Sequence, residues 1–374
     1  MEHERGDGAV EMGPLQHVYQ RPGPFVTAYL DTSGDAEDAA KAIELRWRAV
    51  REGLQEQGAD DADLTAIEEH VREHRAQTGQ RGQVLVAEGG EVVLQDELPA
   101  PPTDLPAEEQ AYVGPLPHLM PYLRRCMTKV PFLIADVEHT GADLTLVRGP
   151  GETDEIRVDG EQHPVHKTRS GDEENHQRFH MAVEERWKRN AEATAGEITE
   201  RARKIGAQAV VLTGEDQQRS LVHALLGDAQ DLVVEPQSRQ VSREELRQEI
   251  TRAVHAAQIS EVVEEFRREA GRGGRAVEGW QDTVEALRRG QVRTLLWTTD
   301  DDHAGDLHIG AGPMELAADE RSIKETGGEI IGDVPASAAV VRALAGADAG
   351  LVITDPDAVD LTGGIGAVLR YRAA

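Results

Sequence analysis

Between residues 179 and 205 apolar side chains return every three or four positions, at Phe179, Val183, Trp187, Ala191, Ala195, Ile198, Ala202 and Ile205. That is the period of an α-helix with one buried face. Such a helix is ~45 Å long at 1.5 Å per residue, so it must lie along a packed layer and carries whatever precedes it away from the domain centre. Ser170 followed by Glu173 fits a capping box at its start, and Gly206 fits a glycine stop at its end. The loop leading into the helix becomes a probe.

The elements around it place the helix in an α/β unit. Strand-like runs at 131–136, 143–147, 155–158, 209–213 and 232–234 alternate with the long helix and a second helical stretch at 217–226. Upstream, a strand-like run at 25–30 precedes helical patterning at 36–57 and 61–78. Two short apolar runs, 83–87 and 91–94, flank Gly89-Gly90 as in a hairpin. The prolines from Pro99 to Pro121 suggest an inter-domain connection. Downstream, a charged helix at 243–268 leads to Gly271-Arg272-Gly273-Gly274, which suggests a hinge. A third α/β unit follows, with helices at 276–289 and 337–345 and strands at 293–297, 329–331 and 350–354. Three α/β domains are therefore expected, at 1–125, 126–257 and 258–374, without internal repeats or low-complexity tracts.

Charge and cysteine content exclude several classes. The formal net charge is −29, which disfavours a DNA coat or a membrane-surface binder, because both gain affinity from positive charge. No apolar run approaches the ~20 residues that cross a bilayer, and the opening residues are polar, so no secretory signal or membrane span is expected. The single cysteine, Cys126, allows neither an internal disulfide nor a cysteine-based zinc cage. A cytoplasmic monomer is the resulting expectation. Acid is relieved in one stretch, residues 163–204, where nine Lys/Arg and four histidines face eight Asp/Glu. Elsewhere acid dominates, as at Asp300-Asp301-Asp302, and the third unit shows no basic face in its sequence.

Two segments of the third unit carry a family resemblance. Residues 277–290, Val-Glu-Gly-Trp-Gln-Asp-Thr-Val-Glu-Ala-Leu-Arg-Arg-Gly, resemble the helix that runs into a core strand in the C-terminal domain of archaeo-eukaryotic release factors and Pelota. Residues 363–371, Gly-Gly-Ile-Gly-Ala-Val-Leu-Arg-Tyr, resemble the Gly-Gly-Ile-Gly-Gly-Ile-Leu-Arg-Tyr ending of that superfamily. In the middle unit, a loop followed by Arg178-Phe179 and a long charged helix resembles the segment after the family's Gly-Gly-Gln loop. The loop His163-Pro164-Val165-His166-Lys167 and the lack of Gly-Gly-Gln and Asn-Ile-Lys-Ser resemble the bacterial branch that includes hibernation factors of the Balon type. The resemblance implies a release-factor-like, three-domain α/β architecture. It further implies a first domain facing the decoding site, a middle domain reaching the peptidyl-transferase centre from the ribosomal A site, and a third domain contacting elongation factor Tu.

The chemistry-bearing candidates follow from these readings. Two imidazoles and a lysine beside a stiffening proline, at residues 163–167, suit phosphates and unstacked bases; Arg169 and Arg178 join them as candidate rRNA contacts. The bland alternative is an ordinary exposed loop. His176 and His180 have the i, i+4 spacing of a metal pair, but Gln177 stands where a zinc protease needs glutamate and no third ligand is evident, so no metal is expected. Gly363, Gly364 and Gly366 lack the following helix and strand of a dinucleotide fold and suit a tight structural turn. No catalytic constellation and no cofactor motif stands out. In release factors a glutamine on a two-glycine tip approaches the ester; Asp172-Glu173-Glu174 occupy the comparable positions. The expected function is therefore a hibernation factor occupying the A site without releasing peptide. A peptidyl-tRNA hydrolase or rescue factor, with His163 or His166 as base, and an acidic protein-binding adaptor are the alternatives.

Overall fold

A computed structural model describes residues 5–6, 9–34, 39–73, 81–127, 131–149, 152–160, 173–226, 233–234, 243–298, 305–325, 327–354 and 356–372. The chain divides into two compact units, one of residues 1–127 with 255–374 and one of residues 128–254.

In the first unit, strand Phe25–Asp31 lies between Gly82–Glu88 and Ala111–Gly114, with Glu91–Leu98 outermost, in an antiparallel sheet. Residues 25–30 are all buried because both faces of the sheet are covered. Val26, Ala28 and Leu30 pack under helices Ala39–Glu56 and Asp61–Glu73, through Ile43, Trp47, Leu54, Leu64 and Ile67. Phe25 and Tyr29 point the other way, toward Leu119, Tyr122 and Leu123. The buried Tyr29 hydroxyl donates to the His118 carbonyl at 2.8 Å and accepts from the Tyr122 amide at 3.2 Å. Gly89 and Gly90, at φ +63° and +81°, form the two-residue hairpin turn, where positive φ matches the strand twist.

The proline-rich stretch is not a connection between domains. Strand Ala111–Gly114 within it pairs with the central strand in the register Phe25 to Gly114, so its backbone is committed to the first sheet. The prolines sit outside that strand, where a missing N–H costs no ladder bond.

The last third of the chain builds a six-stranded sheet around Val292–Trp297, which runs parallel to Gly350–Ile353 and antiparallel to Ile365–Leu369. Strand Ala276–Glu278 closes one side. On the other, Ala9–Glu11 joins Gly350–Ile353, with Val10 opposite Leu351 and the Met12 amide donating to the Ala349 carbonyl at 3.1 Å, and Arg5–Gly6 forms the outer edge. The amino-terminal residues thus complete a sheet made by the carboxyl-terminal ones. The helix expected at 276–289 begins later, as Trp280–Arg288, because Val277 is paired to Ala367 and Gly279 turns the chain at φ +85°. Helix Ala336–Ala347 is buried along its first ten residues, consistent with an apolar sequence on every face. Its one cation, Arg342, donates to the carbonyls of Gly310 and Glu315, both at 3.0 Å; burial lowers its pKa to about 10. A small antiparallel sheet of Leu316–Ala317, Asp306–Gly310 and Ile330–Pro335 completes the unit.

The Gly-Arg-Gly-Gly stretch ends helix Arg243–Gly271 instead of hinging it. The Gly274 amide bonds the Glu269 carbonyl at 2.8 Å and that of Gly273 bonds the Ala270 carbonyl at 3.1 Å, with Gly273 at φ +55°. This is the Schellman closure of a helix C-terminus.

The second unit holds a mixed sheet in the order Val233–Val234, Ala209–Gly214, Phe132–Glu138, Gly141–Gly149, Glu152–Asp159. The first three are parallel and the last two extend the sheet as antiparallel hairpins. One face, with Leu133, Ala135, Leu144 and Leu212, receives Ala191, Ala195, Ile198 and Ala202 of helix Glu173–Ile205. The other, with Phe132, Val147 and Val211, receives Ile250 and Val254.

Met12 is fully buried beside the strand that completes the carboxyl-terminal sheet. Met12→Ala is expected to destabilise the first unit by about 2–4 kcal/mol. In chemical denaturation its transition should move to lower denaturant, while that of the second unit stays in place.

Candidate functional site

In the second unit, the long helix is held by a cluster of polar side chains at one end of the sheet. Trp187, on the helix, stacks on His139 with ring centroids 3.9 Å apart and planes 6° from parallel. His139 sits in the tight turn between strands Phe132–Glu138 and Gly141–Gly149. Its Nδ1 accepts from the Gln218 side-chain amide at 2.8 Å, which leaves Nε2–H directed to the Glu215 carboxylate at 2.9 Å. One turn along the helix, the Asn190 amide donates to the His139 backbone carbonyl at 2.8 Å. Gly160 closes over Asn190: a Cβ there would stand 2.6 Å from the Asn190 Cγ, so only glycine fits. Its amide donates to the Thr140 carbonyl at 2.8 Å.

The energetics of this cluster rest on its buried members. Asn190 and Gln218 are 3 % and 1 % exposed, so leaving either without a partner costs a desolvation penalty. The Glu215 carboxylate is half exposed and its pairing with His139 contributes little. Stacking of His139 on Trp187 adds about 0.5–1.5 kcal/mol beyond the area it buries.

The helix runs from Glu173 to Ile205 and ends in a second Schellman closure. The Ala207 amide bonds the Ala202 carbonyl at 2.8 Å and that of Gly206, at φ +62°, bonds the Arg203 carbonyl at 3.2 Å. The stacked Trp187 stands fourteen positions after Glu173, so the first helical residue projects ~21 Å beyond the anchor along the axis. Strand Glu152–Asp159 ends at the same anchor, with Gly160 beside Asn190.

The expected rRNA contacts His163, Pro164, Val165, His166, Lys167 and Arg169 lie outside the described residues, as do Ser170 and Asp172. Arg178 falls within the helix, as do His176, Gln177 and His180, but these side chains lie outside the description. Glu173 and Glu174 occupy the first helical turn and Gln177 the second. Among the described residues no group of three metal-ligating side chains converges. The sequence reading singled out Trp187 only as a core position and missed His139, Asn190 and Gln218; a histidine in a strand turn is a weak signal until the fold brings an aromatic ring over it.

The glycine-rich turn belongs to the first unit. Gly363 and Gly364 lie at φ +65° and +71°, and the Gly363 carbonyl accepts from the Trp280 indole at 3.0 Å. The Glu278 carboxylate accepts from both the hydroxyl and the amide of Thr362, which holds its pKa below the usual carboxylate value. Gly366 lies in the following strand, where a Cβ would approach the Phe266 ring to 3.0 Å.

Fold and site together define an α/β chain whose middle unit holds a long anchored helix, with the loop read at 163–167 ahead of it in the sequence. A profile of the bacterial archaeo-eukaryotic release factor family 2 matches residues 131–272, which include that loop and helix. The uncharacterized protein Rv2629 of Mycobacterium tuberculosis is 30% identical over 374 residues, covering 96% of each chain. Among solved structures, Dom34 of S. cerevisiae is similar at 9% identity and a TM-score of 0.38, covering 97% of this chain and 94% of its own. Archaeal Pelota, solved in a ribosome-bound assembly with ABCE1, is similar at 15% identity and a TM-score of 0.36, with 100% and 99% covered. The chain belongs to the bacterial branch of the archaeo-eukaryotic release factor superfamily.

Removing the anchor is expected to loosen the projecting part of the helix while leaving its packed part in place. In His139→Ala and Asn190→Ala variants, backbone amides at 177–190 should exchange with solvent faster, and those at 195–205 should keep their protection. Hydrogen–deuterium exchange read by mass spectrometry checks this. Equal acceleration along the whole helix would mean the cluster is a general stability element.

Proposed function

We propose that this chain binds the ribosome, occupies the A site and directs its middle-unit loop toward the peptidyl-transferase centre without catalysing peptide release, as a hibernation factor does. One observation carries the reading. The family match spans the loop and the long helix, yet the positions comparable to the release factors' catalytic tip hold Asp172-Glu173-Glu174. The transition state of ester hydrolysis gains negative charge, and carboxylates brought near it oppose that charge. Gln177, the nearest glutamine, is held in the second turn of the helix. The loop instead offers His163, His166 and Lys167, with Arg169 and Arg178 nearby, for phosphates and unstacked bases of rRNA.

The first domain would face the decoding site and the third would contact elongation factor Tu. Direct binding of the full chain to the purified factor tests the second point, and no association would remove it from the account. Deleting residues from Ala276 onward is not a usable test. It would strip the partner strand from Ala9–Glu11 and expose the core face shared by Phe25 and Tyr29.

Two measurements separate this reading from a hydrolase. Release of labelled peptide from ribosomes carrying peptidyl-tRNA should stay at background with the wild-type chain. Release that disappears in Gln177→Ala or His166→Ala, with ribosome binding intact, would establish the hydrolase instead. In co-sedimentation across a salt series, His166→Ala/Lys167→Ala should bind the large subunit more weakly, with a salt slope shallower by about one for each phosphate left unneutralised. Unchanged affinity and slope would remove the loop from the interface.

A further inference from the structure

Folding gives the carboxyl-terminal part of the first unit a basic pole. Three stretches remote in sequence meet at one end of the six-stranded sheet: residues 268–275, 289–293 and 369–372. Backbone bonds tie them together. The Leu369 amide donates to the Arg275 carbonyl and the Arg370 amide to the Gln291 carbonyl, both at 2.8 Å, and the Arg372 guanidinium donates to the Gly273 carbonyl at 2.8 Å. Arginines arriving on all three stretches therefore share one surface.

Some of that charge is committed internally. Arg275 and Arg293 both pair with Glu265, and Arg275 also with Glu269. Arg370 donates to the carbonyls of Val292, Ala347 and Asp348, at the end of helix Ala336–Ala347 where a cation suits the helix dipole. The remainder faces solvent. Arg268, Arg272 and Arg372 are exposed and form no ion pair among the described residues. Between the two terminal arginines, Tyr371 is 53 % exposed, one of only four large apolar side chains so exposed among the described residues. An exposed aromatic ring flanked by arginines is uncommon on a chain of net charge −29, and it combines the two elements that hold single-stranded nucleic acid: cations along the backbone and a ring beneath a base.

We propose that this end of the carboxyl-terminal sheet binds a single-stranded or looped stretch of RNA, with Arg268, Arg272 and Arg372 against phosphates and Tyr371 stacked on an unpaired base. Tyr371 favours RNA over an acidic protein, which would use the cations and leave the ring idle. The choice of RNA rests on the ribosome-binding reading, but the surface itself does not. The chain's overall negative field repels RNA, so contact through this pole would also orient the molecule on approach.

The test uses the full chain and a short, unstructured, fluorescently labelled single-stranded RNA, with binding read by anisotropy across a salt series. Arg272→Gln/Arg372→Gln should weaken binding at the lowest salt by roughly fivefold or more and lower the salt slope by about 1.4, the value for two phosphates of a single strand. Tyr371→Ala should weaken binding roughly tenfold with the slope unchanged, and Tyr371→Phe should restore it. Arg48→Gln, an exposed arginine on a helix of the first sheet, should bind as wild type. Equal binding by all variants would overturn the proposal. So would displacement of the RNA by polyglutamate at equal charge together with no effect of Tyr371→Ala, which would assign the surface to an acidic protein. Because no ribosome is present, failure here leaves the A-site reading standing, and loss of ribosome binding alone leaves this surface standing.

Discussion

A long helix can serve as a stem only if a short part of it is held fast, and here that hold is the contact between Trp187 and His139. The stack places a flat ring on the helix against a flat ring in the hairpin turn. Asn190, one turn on, bonds the same residue's carbonyl. Two adjacent turns of the helix are thereby referred to one residue of the sheet, which sets both the position and the rotation of the helix about its axis. Below them Ala191, Ala195, Ile198 and Ala202 pack on the sheet through small side chains that allow close approach but carry little directional information. The polar cluster supplies that direction.

Charge is distributed differently in the two units. The middle unit includes residues 163–204, where nine Lys/Arg meet eight Asp/Glu. The other unit is strongly acidic, with a basic pole assembled from Arg268, Arg272 and Arg372. Both surfaces proposed here for RNA coincide with local reliefs of charge, where the repulsion between an acidic chain and phosphate is weakest.

Much of the fold could be read from sequence because its signals are periodic. The residues from Trp187 to Ile205 repeat at helical spacing, residues 25–30 form a run covered on both faces, and the Gly89-Gly90 pair marks a hairpin. What escaped reading depends on partners far away in the chain. Ala9–Glu11 is three residues long and joins the sheet by pairing with Gly350–Ile353, near the other end of the sequence. The strand Ala111–Gly114 is masked by the prolines around it. The same holds at the candidate sites: the loop at 163–167 stands out by composition, whereas His139 and Gln218 are 79 positions apart and have no shared local pattern. The basic pole draws on three short stretches far apart in the sequence, so none stands out alone.

The proposed approach of residues 163–167 to the peptidyl-transferase centre can be read with a single thiol. Cys126 is the only cysteine and is buried, so Cys126→Ala with His166→Cys gives a chain bearing one reactive thiol at the loop. Tethering iron-EDTA to that thiol and generating hydroxyl radicals on the bound ribosome reports which RNA lies beside the loop. Cleavage of large-subunit rRNA confined to the peptidyl-transferase region is the predicted result. Ribosome binding with no cleavage there, or with cuts only in small-subunit RNA, would contradict the account.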